Sequence, residues 1–214
     1  MLQIYIITLV LAGILLTGST ILGLLKYKLF TKKEKWYIYY IIFLFCIELT
    51  SNILLLKIKS NDSLYPVYIA GEFFIVTGIF FKKLHLSKYY YFITASLSLF
   101  FLTGDRILTQ YNNDYSKAIS NIIIISLIGY SLIKDIAKIE IKSPFQTIDK
   151  MMFLYFTVSI FIFVFKLQLL EFPVDYFSIF WITNNLLCIV LYSLFVYTIT
   201  KRKKTFDLDN NIQL

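Results

Sequence analysis

Two glutamates, Glu48 and Glu72, interrupt apolar segments that are otherwise long enough to cross a lipid bilayer. Glu48 lies in "WYIYYIIFLFCIELTSNILLL" and Glu72 lies in "YPVYIAGEFFIVTGIFF". A charged side chain at membrane depth costs about 2.5–3.5 kcal/mol on insertion scales, so such groups normally face the bundle interior and have partners. Three kinds of chemistry are open to this pair: binding a cation, pairing with a lysine such as Lys166, or sharing one proton between two carboxyl groups.

Further polar side chains are predicted at the same depth, roughly 10–12 Å below one end of the bundle at 1.5 Å per residue. They come from the second, third and seventh apolar segments, and consecutive antiparallel helices are usually neighbours. Helical spacings of three and four residues place aromatic and amide groups on the same helix faces. The predicted binding pocket consists of Glu48, Asn52, Tyr68, Glu72, Trp181, Asn184 and Asn185, together with Lys166 of the sixth segment, which lies nearer that end.

A purely structural role is the alternative for each of these residues. Glu48 and Asn52 can bond within their own helix or to a neighbouring helix, and interhelical hydrogen bonds average about 0.6 kcal/mol. Asn184 and Asn185 can likewise join two helices. The convergence of three helices on one depth favours a polar pocket, and the predicted ligand is small and polar or cationic.

The elements that must position these residues are transmembrane helices. The chain has 214 residues, of which 58% are hydrophobic, whereas soluble domains are about 45–50% apolar. Seven apolar segments take up almost the whole sequence. The predicted fold is an all-α, seven-transmembrane helix bundle in one domain (residues 1–200), followed by a short basic tail (201–214). The predicted spans are 4–25, 36–56, 65–81, 89–104, 116–133, 151–169 and 176–199.

The distribution of basic residues predicts the direction of the bundle. Sixteen of the 21 Lys and Arg residues fall in the odd-numbered connections and the tail, and four fall in the even-numbered connections. Because cytoplasmic loops carry the excess of Lys and Arg, the N-terminus is predicted outside and the C-terminus inside a bacterial cytoplasmic (inner) membrane. The net charge of +8 is then explained by basic loops facing anionic lipid. No soluble module remains that could bind nucleic acid.

Most enzymatic functions are disfavoured by the sequence. The one histidine, His85, lies in a lysine-rich connection, so a zinc ligand set and a Ser–His pair are out of reach. No metal, cofactor or catalytic residue is therefore predicted. An intramembrane acid-catalysed lipid enzyme that uses Glu48 and Glu72 stays open as a second alternative function.

A small-solute transporter is the first alternative. Small seven-helix sugar carriers share this length and orientation and resemble two three-helix repeats. Internal similarity here is limited to "YIAGEFF" against "WITNNLL", which aligns Glu72 with Asn184 but is too short to establish a repeat. Interrupted helices, the usual pointer to a transport site, are not evident, because the three prolines lie at span ends or in connections.

The favoured function is a ligand-sensing or accessory membrane protein that acts through a separate signalling protein, because the basic tail is too short to hold an output domain. The segments "FCIELTSNILLL", "YPVYIAGEFFIVTGIFF" and "FWITNNLLCIVLYSLF" resemble stretches of uncharacterised small seven-helix bacterial inner-membrane proteins. The architecture is also similar to the seven-transmembrane sensor heads of histidine kinases. The resemblance implies no particular activity and no catalytic residue.

Overall fold

A computed structural model of the chain describes residues 1–107, 113–137, 144–165 and 174–202. These residues form seven α-helices, and short 3-10 turns precede the second and third of them. The all-α bundle of seven helices that the sequence predicts is therefore confirmed. The helices are α1 (Leu2–Leu25), α2 (Lys35–Ile58), α3 (Tyr65–Leu84), α4 (Tyr89–Ile107), α5 (Asn113–Ala137), α6 (Gln146–Val164) and α7 (Val174–Lys201).

Six of the seven described helices are long and apolar enough to cross a membrane. The exception is α4, whose sequence "YYYFITASLSLFFLTGDRI" mixes hydroxyl and charged residues with the apolar ones. By length and composition, six of the seven predicted spans are therefore supported. The direction in which the helices cross the membrane stays a prediction.

The described helices form a closed ring of six, and α4 lies outside it. Around the ring, α1 packs on α2, α2 on α3, α3 on α5, α5 on α6, α6 on α7, and α7 on α1. The outer helix α4 packs mainly on α3, where the ring of Phe101 meets that of Phe73 edge-on at 5.2 Å between centroids. The ring, rather than the full set of seven helices, therefore defines the interior of the bundle.

Two contacts show that α3 and α5 run parallel. In the first half of both helices, Glu72 of α3 forms an ion pair with Lys117 of α5. Near the end of both helices, Lys83 of α3 lies 2.5 Å from Asp135 of α5. Because α4 connects these two parallel helices from outside the ring, it returns the chain to the end at which α3 began.

Two further contacts show that α1 and α7 are also parallel. Asn185 in the first half of α7 donates to Thr8 Oγ1 in the first half of α1 at 3.3 Å. Lys26, directly after α1, donates to the carbonyl oxygen of Thr200 at the end of α7 at 2.7 Å. The ring therefore consists of two three-helix units, α1–α3 and α5–α7, which have the same order and direction and are joined by α4.

Close approach of α2 and α3 depends on two glycines. A Cβ added at Gly71 would overlap the ring of Phe43, and one added at Gly78 would overlap the ring of Trp36. Both aromatic rings of α2 therefore lie directly against the backbone of α3. This close packing brings the α2 residue Tyr40 within hydrogen-bond distance of Glu72.

Candidate functional site

An open cavity of about 640 Å³ lies within the ring at the end where α3, α5 and α7 begin, which we call the cavity end. All six ring helices contribute to its wall, and none of the described wall residues comes from α4. The wall is formed by Leu16, Leu44, Ile47, Glu48, Ser51, Asn61, Asp62, Leu64, Tyr65, Tyr68, Asn113, Asp114, Tyr155, Phe163, Trp181, Asn184 and Tyr192.

Carboxylates and aromatic rings give the cavity its chemical character. Three carboxylates line it, Glu48, Asp62 and Asp114, and no described residue of the wall is a lysine or arginine. Six aromatic side chains come from α3, α6 and α7. Carboxylates attract positive charge, and the faces of aromatic rings attract ammonium groups. The wall is therefore suited to an organic cation.

The three carboxylates differ in how they are held. Asp114 accepts a hydrogen bond from the Tyr65 hydroxyl at 3.1 Å, and Asp62 accepts one from the Ser60 hydroxyl at 2.9 Å. Within the described part of the chain, Glu48 forms no hydrogen bond and no ion pair, and its side chain is exposed. Glu48 is therefore the wall carboxylate that is most available to a ligand.

A buried ion pair between Glu72 and Lys117 lies behind the wall residue Tyr68. The two side chains are 2% and 1% exposed. The Tyr68 hydroxyl donates to Glu72 Oε1 at 3.1 Å and accepts from Lys117 Nζ at 3.1 Å. Tyr40 donates to the same Oε1 atom at 3.2 Å. Each buried charge thus has an opposite charge and hydrogen-bond partners, as a low-dielectric interior requires.

Aromatic rings complete the surroundings of the Lys117 ammonium group. Its Nζ atom lies 4.4 Å from the ring centroid of Tyr68 and 5.8 Å from the centroids of Phe156 and Phe163. Tyr68 and Phe163 also line the cavity. The protein therefore already holds one alkylammonium group with a carboxylate and aromatic faces, directly beside the cavity.

The structure places four of the eight residues of the predicted pocket in the cavity wall: Glu48, Tyr68, Trp181 and Asn184. Glu72 is buried, as its depth in the third segment suggests, but it lies behind Tyr68 and is paired with Lys117. The two glutamates therefore do not line the cavity together. Whether these residues bind a ligand stays a prediction.

The remaining three residues of the predicted pocket lie elsewhere. Asn185 is buried between helices and donates to Thr8, so it joins α7 to α1. Asn52 is exposed and lines a groove between α1 and α2. Lys166 falls outside the described residues, and so does the ion pair that the sequence suggests for it.

Lys117 is the residue that sequence reasoning missed. Lys117 is one of the four basic residues that the sequence analysis assigns to the even-numbered connections. That assignment is wrong, because Lys117 lies in α5 and its side chain is buried. A signal was present: polar residues recur at helical spacing after it, and Ser120 and Asn121 are buried on the same helix. A lysine that begins such a polar face is a candidate partner for a buried carboxylate.

A second ionic cluster lies at the opposite end of the ring, the basic end, where α1, α3, α5 and α7 end. Lys83 Nζ lies 2.5 Å from Asp135 Oδ2 and 2.7 Å from Asp149 Oδ2. The Tyr37 hydroxyl donates to Asp149 Oδ1 at 2.5 Å. Side chains of α2, α3, α5 and α6 therefore meet at this cluster, which the sequence did not reveal.

A comparison with protein-family models, curated proteins and solved structures found no match to this chain. The length and composition of its helices define a multi-pass integral membrane protein. In the described residues, no group of three or more His, Cys, Asp or Glu side chains is arranged to hold a metal ion. Any functional assignment therefore rests on the cavity and the buried ion pair behind it.

Proposed function

We propose that the protein binds a small organic cation in its central cavity and serves as a membrane sensor or accessory protein that acts through a separate signalling partner. The observation that supports this is the composition of the wall: three carboxylates and six aromatic side chains, with no basic residue among those described. The positive charge of the ligand would lie near Glu48, and its carbon substituents would lie against the aromatic faces.

The surroundings of Lys117 support the same chemistry. Its ammonium group is held by the Glu72 carboxylate and by the rings of Tyr68, Phe156 and Phe163. An external ammonium ion in the cavity would meet the same combination of groups. The wall residue Tyr68 would contact both cations.

Tyr68 also offers a route by which an occupied cavity could affect the rest of the bundle. Its hydroxyl bonds to Glu72 of α3 and to Lys117 of α5, so a ligand that moves Tyr68 acts on the contact between these helices. The same two helices meet again at the basic end through Lys83 and Asp135. A signalling partner at the basic end is proposed to detect this change.

Binding can be measured by equilibrium dialysis of radiolabelled tetramethylammonium against the protein in lipid nanodiscs. Saturable binding is expected, and Glu48→Gln should weaken it by about tenfold or more because the ligand loses its unpaired counter-charge. Glu34→Gln, which removes the same charge at the basic end, is the matched control and should leave the affinity unchanged. No saturable binding, or equal affinities for Glu48→Gln and the unchanged protein, would refute the proposal.

We further propose that the cavity end faces the outside and the basic end faces the cytoplasm of a bacterial inner membrane. The excess of Lys and Arg in the connections at the basic end supports this direction. In spheroplasts of a variant that lacks Cys46 and Cys188, a membrane-impermeant maleimide should label Ser63→Cys at the cavity end. The same reagent should not label Lys32→Cys at the basic end until the membrane is permeabilised, and the reverse pattern would invert the orientation.

Transport of the same cation is the second candidate function. It is favoured by the two three-helix units of equal order and direction that surround one cavity, since parallel repeats of this kind build several transporter folds. In this arrangement α3 corresponds to α7, which places Glu72 of the first unit opposite the Asn184–Asn185 pair of the second. Uptake of radiolabelled tetramethylammonium into proteoliposomes would establish transport, whereas saturable binding without uptake would establish the sensor.

The acid-catalysed lipid enzyme gains no support from the geometry. That chemistry needs Glu48 and Glu72 in one pocket, whereas Glu72 lies behind Tyr68 and is paired with Lys117. Lipid turnover that is lost in both Glu48→Gln and Glu72→Gln would restore this alternative.

A further inference from the structure

A groove on the outside of the ring adjoins the central cavity between α1 and α2. Its volume is about 670 Å³, and its wall comes from these two helices. Leu16 and Glu48 line both the groove and the cavity. These two side chains therefore form the boundary between a space with carboxylate and aromatic walls and a space that faces the surrounding lipid.

The groove has the shape and chemistry of a site for a hydrocarbon chain. Gly13 and Gly18 of α1 lie along it, and a Cβ built at either position would meet no atom within 4 Å. Exposed apolar side chains such as Ile14 and Leu49 form its sides. A polar occupant would find few hydrogen-bond partners along this length, because Asn52, Thr17 and Glu48 are the polar side chains of its wall.

Glu48 is the position along the groove at which a positive charge is needed. Its carboxylate lies within an apolar helix and has no hydrogen-bond or ion-pair partner in the described chain. A carboxylate at membrane depth is costly unless a cation or a donor accompanies it. An ammonium group at the boundary would supply that counter-charge while the chain attached to it stays in the apolar groove.

We propose that the ligand is an amphiphilic ammonium compound whose charged head binds in the cavity beside Glu48 and whose alkyl chain lies in the groove between α1 and α2. This inference rests on the proposed cation-binding function and adds the chain and its location. It also implies that the ligand enters sideways from the bilayer, between α1 and α2, rather than from the water at the cavity end.

The test compares variants with one another at constant lipid. An alkyl chain raises the concentration of a cation in the bilayer whether or not the groove exists. A higher apparent affinity for a long-chain cation is therefore no proof by itself. The decisive quantity is the change that filling the groove causes in the affinity for each of two cations.

Gly13→Phe fills the groove, and Leu11→Phe adds a similar ring to an exposed position of α1 that lines neither the groove nor the cavity. Binding of tetramethylammonium and dodecyltrimethylammonium is measured for both variants and for the unchanged protein in nanodiscs. Gly13→Phe is expected to weaken binding of the dodecyl compound by about tenfold or more and to leave tetramethylammonium unaffected. Leu11→Phe is expected to change neither affinity.

The outcomes separate the two proposals. Equal binding of the dodecyl compound by Gly13→Phe and Leu11→Phe would overturn the inference while the small-cation site stands. If neither cation binds the unchanged protein, the proposed function fails and the inference fails with it. As a second measurement, a dodecylammonium probe with a diazirine at the chain terminus should crosslink to α1 or α2 along the groove. Crosslinks confined to other helices would overturn the location of the chain.

Discussion

Glu72 and Lys83 lie on the same helix, about 16 Å apart at 1.5 Å per residue, and each joins α3 to α5 in a different way. Among the described residues, Glu72 has a single counter-charge, Lys117, and the two side chains are 2% and 1% exposed. Lys83 has two counter-charges, Asp135 and Asp149, and its own side chain is 20% exposed. The Glu72–Lys117 pair has no net charge and is buried from solvent. The cluster of Lys83, Asp135 and Asp149 has one more negative than positive charge and is partly exposed to solvent.

This difference predicts where the ring tolerates the loss of a charge. Loss of one partner of a buried pair leaves the other charge uncompensated in a medium of low dielectric constant. At Lys83, the second carboxylate and the solvent can compensate for a lost partner. Loss of a charge should therefore disturb the contact between α3 and α5 more behind the cavity than at the basic end, where the signalling partner is proposed to act.

The largest effect is expected for Lys117→Met. The substitution leaves the Glu72 carboxylate buried without its counter-charge, and the free energy of unfolding should fall by about 3–5 kcal/mol. Unfolding by heat or by SDS in detergent micelles measures the change. The double variant Glu72→Gln/Lys117→Met, which removes both charges, should recover most of that loss; a double variant as unstable as Lys117→Met would contradict the uncompensated-charge explanation.

An intermediate effect is expected at the basic end. Asp149→Asn removes the charge of a fully buried carboxylate that accepts from Tyr37 and Lys83, and the cost should be about 1–3 kcal/mol. Asp135 is the matched control because it binds the same lysine with a side chain that is 27% exposed. Asp135→Asn should cost less than about 1 kcal/mol, and equal costs in an unfolding assay would show that exposure does not distinguish the two.

The two tyrosines that bond to Glu72 provide a finer comparison. Tyr68 donates to Glu72 and accepts from Lys117, whereas Tyr40 makes only the donor bond to Glu72 among the described contacts. Since a hydrogen bond to a charged group contributes about 1.5–3 kcal/mol, Tyr40→Phe should cost about 1.5 kcal/mol or more, and Tyr68→Phe should cost more than Tyr40→Phe. Thermal unfolding of both variants checks the order, and a larger cost for Tyr40→Phe would contradict the bonding pattern.

The smallest effect is the response to salt. At 1 M ionic strength the Debye length is about 3 Å, so partly exposed charges are screened and buried ones are hardly affected. The stability difference between Asp135→Asn and the unchanged protein should shrink toward zero in 1 M NaCl. The difference caused by Lys117→Met should stay the same, and a strong salt dependence there would mean that water reaches the buried pair.

Helix positions could be predicted from the sequence because a run of apolar residues determines where a membrane helix begins and ends. The predicted segment 36–56 corresponds to Lys35–Ile58, and 65–81 corresponds to Tyr65–Leu84. Four of the eight predicted pocket residues line the cavity for a related reason: depth along a helix follows from residue number.

The rotation of each helix and the order of the ring could not be predicted in this way. Lipid and the protein interior are similarly apolar, so a helix such as α2 carries no hydropathy signal that tells its inner face from its outer face. The rotation of these helices depends on pairings between residues that are far apart in the sequence. Glu72 turns inward because Lys117 meets it from α5, whereas Asn52 faces the outer groove. The exclusion of α4 from the ring is likewise a property of packing between helices.

The position of α4 has a consequence for how the chain is inserted into a membrane. Because α3 and α5 run parallel, α4 returns the chain to the end at which α3 began, yet it is the described helix that is not apolar enough to count as a membrane span. We therefore expect α4 to enter the bilayer only together with α3, against which it packs. In a translocation-reporter assay, α4 alone should be passed through the membrane, whereas a fragment with both helices should place α4 across it. Helices α3 and α4 would then insert as a pair, although the finished bundle holds only α3 in its ring.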